Sequence, residues 1–442
     1  MNSLGNEQLL ILNKIKDFLK SRNNKDKKTL SSDYYCSFSL NTGFALLKYW
    51  VNKKNFFFLL ITVFKEIYAI FNIGNYRLLK NENLNLDYDK IILTWGNNSN
   101  LSKNAYFDKY FNVSSTETKK ILWIVICNEK IVSNNNLENV VFIEEEKTNF
   151  FKKIKNFING IYKLIFLSQK KMIDVLHKLT WHYFFSEKIF LIFDKLIHEK
   201  VNLVLMPYEC QPFQSKIINE TRSLNKNIKF HGFIHSYPSL PSHLLHRKES
   251  PDKIILTSPD QYFTFTNYLG WQKENIKLLP SARFRKNKFQ DMRKKIFLPI
   301  SFTSTKFIFK HFLKICRILN DYDLSEFEIR NHPASKSSKK HLNLIKKIET
   351  VILQSDNKNK KKITNVSIFI GATGSIIEAL EQNIFTYHIC EEPIFESYNS
   401  ILWPSLKIQF ITNNLITYKL ADTKKIIMFG ESNYKIDEYL NE

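Results

Sequence analysis

Short, unbroken apolar runs recur along most of this chain, each separated from the next by a stretch long enough for a helix, and that rhythm leaves few folds open. Lys90–Gly96 (KIILTWG), Ile121–Cys127 (ILWIVIC) and 139–144 (NVVFIE) have the continuous apolarity of strands covered on both faces. Helical segments follow over 147–200. Strand signals resume at 201–207 (VNLVLMP) and 228–235 (IKFHGFIH), with one helix-length piece, 211–225, between them, which predicts a βαβ unit. Beyond the loop 237–252 the rhythm restarts with 253–258, 276–280, 295–301 and 327–333, interleaved with helical patterns over 260–269, 306–319 and 339–353. Two such runs, each large enough for its own sheet, predict an α/β fold of two doubly wound Rossmann-like domains facing a cleft. The expected division is a helical N-terminal extension over 1–85, one domain over 86–247 and a second over 248–442.

At 442 residues the chain is too long for one ordinary domain, and its 44% hydrophobic content is enough to fill more than one core. The formal charge of +23 implies a surface that attracts anions, whether lipid headgroups, nucleic acid or phosphorylated substrates. Lysine dominates over arginine, a compositional bias that weakens the inference from charge alone. The five cysteines, Cys36, Cys127, Cys210, Cys316 and Cys390, lie far apart with no C-x-x-C pair and no metal-ligand spacing, so we expect a reduced, cytoplasmic setting and no metal site. The stretch 55–71 (NFFFLLITVFKEIYAIF) is the most hydrophobic, but Lys65 and Glu66 interrupt it well short of the roughly 20 apolar residues a membrane span needs. It reads as a buried helix or as one lying in a membrane interface.

Five polar constellations fall at the expected carboxyl ends of strands, where α/β sheets bind their ligands. In 365–380 (NVSIFIGATGSIIEAL), a strand runs into a small-residue turn that opens a helix. Gly371 and Gly374 let the backbone turn, and Thr373 and Ser375 either cap the helix or add hydroxyl donors to an anion cradle. Glu378 lies in the first turn of that helix and joins the set. In FEIRNHP, Pro333 stops a strand that delivers Arg330 and His332, a charged fork and a ring that can hold a phosphate or protonate a leaving oxygen; a turn-capping role for His332 is the alternative. In MPYECQP, Glu209 stands between a buried strand and a helix. Partial burial there is expected to raise its pKa and suit it to general base work; a carboxylate complementing the helix dipole is the plainer reading. His235 and Ser236 end the 228–235 strand as substrate contacts, and Ser281 and Arg283 in LLPSARFRK are candidates for a diphosphate or carboxylate contact.

Taken in order, these pieces resemble the two-domain GT-B glycosyltransferases of bacterial surface-carbohydrate synthesis. The likeness is closest to the sialyltransferase and polysialyltransferase type and to capsule transferases that use CMP-activated ulosonic acids, and it covers roughly residues 90–403. The resemblance implies that Glu209 matches the acidic motif that supplies the base. It matches His332 and Pro333 to the His-Pro motif on the donor phosphate, and Thr373 with Ser375 to the Ser/Thr motif against the nucleotide. Two departures stand out: the acidic site is PYEC instead of a doubled acid followed by Gly, and the turn is GATGS instead of two adjacent hydroxyl residues.

What the resemblance implies is an inverting, metal-independent glycosyltransferase, moving a sugar from a nucleotide donor such as a CMP-linked acidic sugar onto a glycan or lipid-linked acceptor. The 86–247 domain would hold the acceptor and 248–442 the donor, at the cytoplasmic face of an anionic membrane surface. No cofactor beyond the donor substrate is expected. A nucleotide-sugar 2-epimerase of the same architecture is the enzymatic alternative, and a non-catalytic basic protein that binds membrane or nucleic acid is the other. Nucleic acid is disfavoured as a partner, because the sequence has no zinc module, aromatic RNA-binding signature or base-reading helix.

Overall fold

The computed structural model describes residues 3–23, 68–69, 71 and 74–440, apart from 80–86, 103–104, 119, 132–136, 147–148, 168–180, 225–226, 286–290, 333–337, 356–359, 422–424 and 432–435. The hydrophobic stretch 55–71 falls almost wholly outside the described residues. So does Pro333.

The chain is a mixed α/β fold built on a large, mostly parallel sheet. Its eight strands run in the spatial order Asn75–Leu79, Val140–Glu146, Ile121–Cys127, Lys90–Gly96, Leu203–Pro207, Lys229–Phe233, Lys253–Leu256, Ile276–Leu278. All pair in parallel except the first, which is antiparallel to Val140–Glu146. The chain lays down strands on one side of Lys90–Gly96 and then returns to the other side with Leu203–Pro207. A second sheet of six has the order Glu328–Arg330, Lys295–Phe297, Val366–Ile370, Phe385–Ile389, Leu415–Leu420, Leu406–Thr412. Its first four strands are parallel and its last two form an antiparallel edge. Here the build-up changes sides between Lys295–Phe297 and Val366–Ile370.

Coverage of both sheet faces explains the unbroken apolar runs. Every residue of Ile121–Cys127 is buried, and alternate side chains enter different cores: Ile124 and Ile126 join one cluster, Trp123 and Val125 another. In the second sheet, Phe369 enters the first of these clusters while Ile368 and Ile370 enter a third. A single contiguous core therefore touches both sheets, and it also takes in Ile11, Leu12 and Ile15 of the first helix, Ser3–Asn23. Each fully buried aliphatic side chain of this kind contributes roughly 1.5–3 kcal/mol relative to exposure. The same helix is pinned by polar contacts: Gln8 Nε2 donates to the carbonyls of Ile394 at 2.9 Å and Ser397 at 3.0 Å.

Two expectations need correction. The segment 1–85 is not helical throughout, because Asn75–Leu79 is an edge strand of the first sheet. Arg77 anchors it through Nη2 and Nε at 2.7 and 2.9 Å from Glu144 Oε1, a carboxylate that is 1% exposed. Five residues of alternation, with a charge at the centre, are too few to distinguish from a helical pattern. The expected division at 247/248 also falls inside the first sheet, since Lys253–Leu256 and Ile276–Leu278 both add to it. The β/α period is the same on both sides of that point, and only packing decides which sheet a strand joins.

Candidate functional site

The turn after Leu203–Pro207 is held in an unusual shape by one side chain. Gln214, 2% exposed, accepts from the amides of Glu209 at 3.1 Å and Gln211 at 3.0 Å, and its Nε2 donates to the Pro207 carbonyl at 2.6 Å. Within that clamp Cys210 adopts φ +53°, a left-handed conformation that non-glycine residues seldom enter. The result is a fixed Glu209. Its Oε1 lies 3.2 Å from His235 Nε2, and its Oε2 accepts from Gln211 Nε2 at 2.9 Å.

His235 is the more buried partner, with 9% of its side chain exposed against 38% for Glu209. Its ring packs edge-on against Tyr110 with centroids 4.6 Å apart. Nδ1 is buried without a hydrogen-bond partner, so Nε2 is the ring nitrogen that donates to Glu209. Burial pushes the Glu209 carboxyl up, but the hydrogen bond and charge of His235, the Gln211 bond and the charge of His243 outweigh it and bring it down to about 2. This reverses the expectation of a raised pKa: desolvation is present, yet hydrogen bonds to the ionised form win.

The carboxyl end of Val366–Ile370 is built from backbone. Gly371 has φ +64°, and a Cβ there would sit 3.0 Å from Pro299 Cβ, so both the conformation and the space require glycine. Its amide donates to Ile389 O at 2.8 Å and its carbonyl lies 2.7 Å from His388 Nε2. The other ring nitrogen, Nδ1, is 2.9 Å from the Tyr418 hydroxyl. Burial drives the pKa of His388 down to about 4, which makes it a neutral strut. Thr373 Oγ1 accepts from the Ser375 amide at 3.3 Å, opening the short helix Ser375–Glu381.

The two sheet ends meet. Tyr237, directly after Ser236, passes beside the glycine turn: its backbone N and O are each 3.7 Å from the Cβ position of Gly374. Its carbonyl accepts from the Tyr398 hydroxyl at 2.6 Å, and that hydroxyl also lies 3.3 Å from the Thr373 carbonyl. Arg283 reaches across with Nη2 3.8 Å from Glu378 Oε1. The field of Arg283 also opposes burial and the nearby Glu209 and Asp108 carboxylates, which together push the Tyr110 hydroxyl up to about 12. Glu209, His235, Tyr110, Arg283 and Glu378 thus form one polar rim beside the glycine turn. Burial raises Glu378, and Arg283 offsets part of that rise.

Other candidates stand apart. Ser281 is 1% exposed and its hydroxyl accepts from the Phe284 amide at 3.1 Å, so burial keeps it from a ligand in the cleft. Arg330 pairs with Glu328 on its own strand at 2.8 Å. Ser236 is half-buried, and its carbonyl accepts from Gln261 Nε2 at 2.8 Å. His332 is exposed at the end of the edge strand of the second sheet; partial desolvation and the neighbouring His341 lower its pKa, which favours a neutral hydrogen-bond donor over a proton donor. His341 Nε2 in turn lies 2.9 Å from the carbonyl of Pro299, the residue beneath Gly371. Sequence reasoning missed Tyr110, Gln214, Tyr398 and His388. Only Gln214 left a signal, a Gln three residues after the turn residue whose amide it caps.

Comparison with protein-family models and with curated proteins finds no match. Among the described residues, no group of three or more His, Cys, Asp or Glu side chains could hold a metal ion. No helix among them is long and apolar enough to cross a membrane.

Proposed function

We propose that the protein is a glycosyltransferase with two Rossmann-like halves, taking a nucleotide-sugar donor and a glycan or lipid-linked acceptor in the cleft between the sheet ends. One observation carries the reading: each sheet changes its direction of build-up at the strand ends where the candidate residues converge. Glu209 follows Leu203–Pro207 at the first reversal, and the Gly371 turn follows Val366–Ile370 at the second. The crevice outside such a reversal is where doubly wound sheets bind ligands. Tyr398 ties the two ends together.

In this reading the amides after Gly371, the Thr373 and Ser375 hydroxyls and His332 face the donor phosphate. Glu209, ionised at every pH above its value of about 2, receives the acceptor hydroxyl proton. A base that weak has little driving force alone. The buried His235 keeps it oriented, and the 38% exposure of the Glu209 side chain leaves an oxygen open to an acceptor. Arg283 supplies a cation next to developing phosphate charge. The cytoplasmic face of a membrane, where lipid-linked acceptors are presented, is the setting this reading implies, with the basic surface drawn to anionic lipid.

A thermal-shift panel with CMP, CDP and UDP tests it. Stabilisation by CMP or CDP that is lost in His332→Ala supports a CMP-sugar donor. Stabilisation by UDP alone moves the assignment to a UDP-sugar transferase or a 2-epimerase, and no stabilisation by any nucleotide sinks the donor site. Glu209→Gln is expected to keep nucleotide binding while transfer falls by roughly 10²–10⁴-fold.

A further inference from the structure

At the opposite end of the first sheet, the amino ends of Lys229–Phe233 and Lys253–Leu256 open onto a cavity of about 380 Å³. That volume lies within the range of small-molecule sites. Its wall carries Arg222, Lys229, His246, Arg247, Lys248 and Lys253, with Asp252 as the one carboxylate. Asp252 is already engaged, taking Arg222 Nη2 at 2.9 Å and the Phe230 amide at 2.8 Å. Arg222 is held further by the Lys248 carbonyl at 2.9 Å and lies over the Phe230 ring, so one guanidinium is a fixed part of the wall. Among the described residues, none of Lys229, Lys248 and Lys253 has a carboxylate within ion-pair distance. Burial and the charge of Arg222 lower the pKa of His246 on the same wall.

Three lysines and two arginines on one concave wall, whose only lining carboxylate is already engaged, make that wall attractive to an anion. We propose that this cavity is a second ligand site, remote from the cleft, that binds a phosphate-bearing anion through Lys229, Lys248 and Lys253. The phosphate belongs either to a soluble compound or to a lipid headgroup. The site does not depend on the reading of the cleft.

Calorimetric titration of the full chain with inorganic pyrophosphate tests the site. The comparison is between Lys248→Gln/Lys253→Gln and a control, Lys361→Gln/Lys362→Gln, which removes the same charge from an exposed pair elsewhere. The cavity variant is expected to bind at least 10-fold more weakly, while the control binds as the wild type does. Equal weakening in the control, or no saturable binding by the wild type, overturns the proposal. Co-sedimentation with phosphatidylcholine vesicles, with and without phosphatidic acid, identifies the source. Capture by the acidic vesicles that the cavity variant loses assigns a headgroup, and pyrophosphate binding without capture assigns a soluble phosphate compound.

Discussion

The two sheet ends that meet at the candidate site are made of different materials. The first is built from side chains: a carboxylate, an imidazole and a phenol, set in place by the Gln214 clamp around a left-handed Cys210. The second is built from backbone, with a glycine turn braced from beneath by Pro299 and behind by a neutral, fully buried His388. The first end therefore responds to pH. The second responds to shape.

The largest expected effect comes from removing the strut of the backbone-built end. His388→Ala removes the side-chain partner of the Gly371 carbonyl, leaves the Tyr418 hydroxyl with only the Tyr398 amide, and opens a cavity, and we expect a loss of about 2–4 kcal/mol by urea unfolding. If its stability matches the wild type, the turn is not braced as described. Gly371→Ala is next, at about 1–3 kcal/mol from the positive φ and the Pro299 contact, and it is expected to reduce nucleotide-induced stabilisation further than its own stability cost explains.

A smaller, pH-dependent effect is expected at Glu396 in the helix Pro393–Glu396, two residues before Tyr398. Burial raises its carboxyl to about 7, with the charges of Glu391 and Glu392 adding to the rise while backbone hydrogen bonds at the same residues oppose it. The folded value lies above the ordinary 4.5, so the stabilising contribution of the protonated form is complete below about 4.5 and is lost as pH rises through 7. Glu396→Gln is expected to be more stable than the wild type at pH 8 and to converge with it at pH 4; parallel curves would remove this group from the account.

The smallest effect on stability is expected at Glu209, whose side chain is partly exposed. Its folded value is depressed, so its contribution is present above 4.5 and lost as pH falls toward 2. The urea midpoints of wild type and Glu209→Gln are expected to differ at pH 6 and to converge as pH falls to about 2. A gap that persists undiminished at pH 2 would place the origin of the difference elsewhere than in the His235 pair.

The backbone-built end was the more legible of the two. A strand of β-branched residues, two glycines and two hydroxyl residues spell a strand, turn and helix within sixteen positions, and local sterics suffice to read them. The side-chain-built end was half legible. Glu209 and His235 could each be placed at the end of a strand, but they lie 26 positions apart, and nothing local says that they touch. Tyr110 and Tyr398 left no signal, because a tyrosine that reaches a site from a distant loop reads like any other core aromatic. The direction of the Glu209 shift was missed for the same reason: burial follows from apolar neighbours in sequence, whereas the hydrogen bonds that outweigh it come from residues brought in by folding.

Sequence alone determined that the chain alternates strands and helices, that its strands are covered on both faces, and that polar residues gather at their carboxyl ends. Periodicity and turn chemistry are properties of neighbouring residues, so they survive without a structure. Tertiary structure alone decided that Asn75–Leu79 joins a sheet, that Lys253–Leu256 and Ile276–Leu278 belong to the first sheet, and that Glu209 meets His235 beside the glycine turn. Those outcomes depend on which of several chemically similar surfaces pack together. The free-energy differences between such pairings are summed over the whole core and are written in no single segment.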